Sequence, residues 1–99
     1  VAVGQFSGKG EEGARASEKE VVQTAMDAMM AETGSTSVTA NDSTTTSNGV
    51  QDFSSVPSEG SLATYMRKNP TVYFYCWDET GKVKALPGTV TSACPAGPY

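Results

Sequence analysis

The sequence predicts an α+β fold: one long N-terminal helix packed on a small antiparallel sheet, with a disulfide-pinned C-terminal tail. Three observations carry that expectation. Apolar side chains recur with helical period over residues 17–32, β-branched and aromatic residues alternate over 71–77, and two cysteines stand at 76 and 94. All of this fits one domain of 99 residues. A chain of that length buries a modest core and usually needs a staple beside it.

The helical zone, residues 1–33, is rich in Ala, Glu, Gly and Met. Val22, Ala25, Met26, Met29 and Met30 follow i, i+3, i+4, i+7, i+8 spacing, so this face is expected to pack on the sheet. Ser17 with Glu20 matches a capping box, and Gly34 stands where a helix stops. Upstream the pattern changes phase. At about 100° per residue, Val3, Phe6, Ala14 and Val21 fall on a second stripe, turned by about 100° from the methionine face. Glu11, Arg15 and Glu18 lie above the methionines, where a core does not accommodate charge. The upstream half is therefore expected to serve another interface, with Val3, Phe6, Ala14 and Val21 as subunit contacts. Gly4, Gly8, Gly10 and Gly13 each cost about 1 kcal/mol relative to Ala inside a helix, so the first dozen residues are expected to fray in isolation. Arg15 has Glu11 and Lys19 as i,i+4 neighbours, one pairing favourable and the other repulsive.

Residues 34–57 are dominated by Ser, Thr, Asn, Asp and Gly without sustained period, and read as a loop. Val38, Val50 and Phe53 are its apolar handles for tacking onto the body. Asn41-Asp42-Ser43 is a glycosylation sequon, which makes Asn41 a candidate acceptor. Asn41, Asp42 and Asp52 lack the alternation and closing Glu of a calcium loop, so no metal is expected there.

Residues 58–99 hold the sheet and the C-terminal loop. Leu62, Tyr65 and Met66 suggest a short helical turn that stops before Pro70. TVYFYCW is the best strand, Asp78-Glu79-Thr80-Gly81 a turn, and residues 82–86 a returning strand with Val83 and Ala85 on its buried face. With Val72, Phe74 and Cys76 turned toward the methionine helix, Tyr73, Tyr75 and Trp77 form the outer row. That row is open to three readings: cover by the tail or loop, packing on a subunit, or stacking on a ligand such as carbohydrate. Tyr73, Tyr75 and Trp77 are therefore the candidate surface-binding residues.

The cysteines are even in number and far from a CxxC spacing, which points to a structural disulfide. By the chain-entropy model such a bridge contributes about 3 kcal/mol. Histidine is absent, removing the commonest general base and metal ligand, and two cysteines alone do not make a zinc site. The net charge of −4 argues against a nucleic-acid binder. No catalysis, cofactor or metal is expected.

The segment GQFSGKGEEGARASEKEVVQTAMDAMMAETG resembles the second half of the N-terminal helix of type IV pilins and type II secretion pseudopilins. YMRKNPTVYFYCWDETGKV resembles the hairpin after the variable loop of pilin-like proteins. Cys76 and Cys94 sit where many pilins carry the disulfide that closes their C-terminal loop. The resemblance implies a structural subunit of an extracellular type IV pilus-like filament, acting by self-association with copies of itself and other pilins. It also implies an apolar half-helix ahead of residue 1, the subunit's only membrane contact, held in the inner membrane before assembly. The family's processing site, first-position Phe and acidic fifth residue belong to that half and match no residue here. In such proteins the upstream helix touches other subunits while the downstream half packs on the sheet, which accounts for the change of phase. The alternative implied is a minor pilin or surface module that binds carbohydrate or another surface through exposed aromatics.

Overall fold

Residues Phe6–Thr33 form one helix, α1. The computed structural model describes residues 6–45 and 48–99, with side chains from residue 12 onward. Val3 and the side chain of Phe6 lie outside the described residues. The helix passes straight through Ser17, so the capping box is not its start: Ser17 is an exposed interior residue. The Ala, Glu and Arg residues just upstream are strong helix formers, and they continue the turn instead of breaking it. At the other end the chain follows expectation. Gly34 takes φ +71° and Ser35 N–H donates to Met30 O at 3.0 Å, the 6→1 bond of a Schellman closure.

The sheet has two antiparallel strands, β1 (Tyr75–Trp77) and β2 (Val83–Ala85), paired Tyr75 to Ala85, Cys76 to Lys84 and Trp77 to Val83. Gly81 closes the hairpin at φ +86°. A Cβ there would meet Met30 Sδ and Met26 Cγ, which measures how closely α1 lies against the turn. As expected, Val22, Ala25, Met26 and Met29 are buried and Met30 is partly so, packed with Val83 and Ala85 of β2.

Burial decides which strand face turns inward, a choice the alternation leaves open. Tyr73, Tyr75 and Trp77 point into the core with the methionines, Phe53 and Leu62, whereas Val72 is 43% exposed. The candidate surface-binding row is thus interior, and the reading of these aromatics as an exposed ligand or subunit surface is overturned. The physical reason is area. Two Tyr and a Trp remove far more apolar surface from water than Val, Phe and Cys, provided their polar tips find partners. They do: Trp77 Nε1–H donates to Thr39 O at 2.9 Å and Tyr75 O–H donates to Glu18 Oε1 at 2.8 Å. The opposite face carries a smaller cluster, Cys76, Leu86 and Cys94, with Phe74 and Tyr99 against it.

The Ser/Thr-rich segment is built into the sheet and is no free loop. Asn41 and Val50, nine residues apart, each form an antiparallel bridge to β1, with Trp77 and Tyr75 respectively. They close the edge that β2 leaves open, as an edge strand demands. Val38 and Phe53 are buried, so the apolar handles anchor it as expected. A 3-10 turn, Leu62–Tyr65, then buries Leu62 beneath α1.

Candidate functional site

Two polar side chains on α1 fasten it to the sheet. Glu18 accepts from Val72 N–H and Tyr73 N–H, each at 2.9 Å, and from the Tyr75 hydroxyl. Burial, with the Glu18 carboxylate beside it, pushes that hydroxyl well above its ordinary pKa. Five residues on, Gln23 donates to Gly81 O at 2.8 Å and accepts from Val83 N–H at 2.9 Å. Glu18 therefore holds the β1 side and Gln23 the β2 side. The sequence displayed Glu18 as a charge in the core's phase. Its partners are backbone groups of a distant strand, which no local pattern shows.

The cysteines join as expected: S–S 2.12 Å, Cα–Cα 5.9 Å, across 18 positions of sequence. A second tie lies at the hairpin turn. Asp78 accepts from Tyr99 N–H at 2.8 Å, and also from Lys82 N–H and both donors of Thr80. Burial opposes its ionisation, but these hydrogen bonds outweigh burial and hold its carboxyl below the usual range. The tail is thus fixed to β1 covalently and to the turn by a charge-assisted bond.

Asn41 is where the geometry departs most from the sequon reading. It is buried, and its Nδ2 donates to Asn48 O at 3.1 Å and Tyr75 O at 3.2 Å. The atom that would carry a glycan is engaged beneath the loop, so Asn41 is a structural residue in the fold and not an exposed acceptor. Asp42 and Asp52 spend their carboxylates on Thr44 and on Ser54 and Asn69. Among the described residues no cluster of three or more His, Cys, Asp and Glu could hold a metal.

The expected subunit-contact residues are split by what the structure describes. Ala14 is exposed and Val21 is half-exposed, on a flank of α1 turned away from the sheet. Ahead of Glu18, no described side chain of α1 is buried.

A groove of about 570 Å³ lies between α1, β2 and the tail. Glu12, Arg15 and Lys19 line one wall, Lys82 and Lys84 another, and Tyr99 with tail prolines the third. Four of the chain's seven cationic side chains meet here, facing one acidic side chain, Glu12. No local pattern assembles this groove, because its α1 wall lies more than 60 residues from the other two. A signal was present in two pairs of like charge at spacings that share a face: Arg15 with Lys19, and Lys82 with Lys84. Among its described side chains the groove is therefore net cationic.

These features define a small disulfide-closed α+β module with one exposed helix flank and one cationic groove. Comparison with protein-family models, with curated proteins and with solved structures returns no match. Among the described residues no helix is long and apolar enough to cross a membrane.

Proposed function

We propose that this chain is a structural subunit of an extracellular type IV pilus-like filament that acts by self-association. The observation that carries the reading is the division of α1. Twenty-eight residues at about 1.5 Å per residue make a helix of about 42 Å, close to the molecule's longest extent of 46 Å. Among the described residues its buried side chains, Val22, Ala25, Met26 and Met29, all belong to the downstream half. Ala14 upstream and Val21 on the flank of the packed half are offered to solvent, and Val72 is exposed beside the Glu18 bond that joins strand to helix. A helix that packs one stretch on its own sheet and leaves the described stretch before it unburied is what a subunit needs to hold its own fold and still contact its neighbours. The disulfide suits an oxidising, extracellular setting. In this reading the chain's partners are copies of itself and other pilins, and its role is mechanical, without chemistry of its own.

The test is sedimentation velocity on the oxidised chain over a range of concentrations. Wild type is expected to associate. Val21→Arg, which leaves the core untouched, is expected to weaken association without changing the melting temperature. A wild type that stays monomeric throughout, or a Val21→Arg variant that associates equally well, overturns the reading.

A further inference from the structure

The groove between α1, β2 and the tail gathers charge that local structure disfavours. Arg15 and Lys19 repel along α1, Lys82 and Lys84 repel along one face of the returning strand, and both pairs line the same cavity. Of the ten acidic and six basic side chains among the described residues, the groove takes one acid and four bases. Outside it, the described side chains are nine acids against two bases, Arg67 and Lys68. The molecule is therefore a cationic groove set in an acidic body. Part of that acidity is ordered on α1: Glu20 and Asp27, seven residues apart and both exposed, form one line roughly 150° around the helix from the buried methionine face.

We propose that the groove of one copy holds the Glu20–Asp27 face of a second copy. This deepens the self-association reading and rests on it. The groove and the acidic line are neighbouring patches of one chain, with Lys82 lining both the groove and a shallow recess beside Gln23 and Asp27, so the contact pairs unlike patches of two copies. Made in one direction, it leaves a free groove and a free acidic line and propagates head to tail; made reciprocally, it closes a two-fold dimer. The second copy relieves the repulsion within both lysine and arginine pairs, and charges on two separate walls fix its register.

The experiment uses the whole oxidised chain in sedimentation velocity. Wild-type association is expected to weaken about tenfold or more between about 50 mM and about 500 mM salt, since exposed charges are screened over that range. The Lys82→Glu/Lys84→Glu double variant is expected to weaken it about tenfold or more at low salt. Mixing that variant with Glu20→Lys/Asp27→Lys is expected to restore a mixed complex. Should either variant fold poorly, carbodiimide cross-linking of the wild type gives a separate readout: copy-to-copy links from Lys82 or Lys84 to Glu20 or Asp27 support the proposal, and their absence from an associated sample overturns it. Association unchanged by the lysine reversals, or a charge swap that restores nothing, also overturns it. So does a single-stranded oligonucleotide probe that binds through Lys82 and Lys84 while self-association persists without them, because the groove then serves nucleic acid. If Val21→Arg abolishes association and the lysine reversals do not, this proposal fails and the subunit reading stands. If wild type never associates, both fail.

Discussion

Glu18 is the residue on which the helix-to-sheet joint turns. Its carboxylate satisfies two backbone donors and one hydroxyl, and removing it leaves the Tyr75 O–H and Tyr73 N–H with no acceptor in a largely dry place. Glu18→Ala is expected to destabilise the fold by about 2 kcal/mol in chemical denaturation, and Glu18→Gln by less, since an amide oxygen still accepts. Acid tests two other carboxylates. The side-chain bond from Ser54, then that from Asn69, lowers the Asp52 pKa to about 2, and Asp78 is lowered as described above. A carboxylate with a folded pKa below its unfolded value stabilises the fold above the unfolded value and stops doing so as pH falls through the folded one. The melting temperature is therefore expected to fall between about pH 4 and about pH 2, by less in Asp78→Asn than in wild type. An identical acid profile in that variant would show that the Asp78 bond to Tyr99 contributes nothing.

At the scale of elements, the two glycines that take positive φ beside α1 make a matched pair. Nothing lies within 4 Å of a Cβ built on Gly34, so Gly34→Ala bears only the backbone cost, about 1 kcal/mol. Gly81→Ala bears that cost and also drives a methyl into Met30, so it is expected to be clearly worse in the same denaturation assay. This comparison also marks what the sequence made legible. The period of α1 and its stop at Gly34 are local patterns found where they were expected, whereas the strand expected over 71–77 forms only as Tyr75–Trp77, with all three residues buried. Alternation, however, is symmetric about a strand. It announces two faces at 71–77 without saying which one turns inward, and a single-residue shift exchanges them. The decision came from Glu18 and Thr39, which satisfy Tyr75 and Trp77 from far along the chain. For the same reason Asn41 read as a sequon: its role as a bridge to Trp77 needs a partner 36 residues away. The groove is the extreme case, since no one of its three walls is a motif.

For the whole molecule, the oxidised pair Cys76–Cys94 supplements a core that a 99-residue chain keeps small. Cys94→Ser is expected to cost about 3 kcal/mol. The loss should fall first on the smaller cluster of Leu86, Phe74 and Tyr99, visible as faster hydrogen exchange over the tail while the Met26 and Met29 core stays protected. Uniform loss of protection would show instead that the two clusters open as one unit.

The Glu18 and Gln23 fastenings have a further consequence once force is considered. A pull along the axis of α1 reaches both strands together, loading the two sets of hydrogen bonds in parallel and not one after the other. Beyond them, the bridge between residues 76 and 94 removes a segment of 18 positions from the extensible length. At about 3.5 Å per residue, an oxidised chain stretched end to end should yield about 60 Å less contour than a reduced one. The module is therefore expected to behave under tension as a short tether with a hard stop.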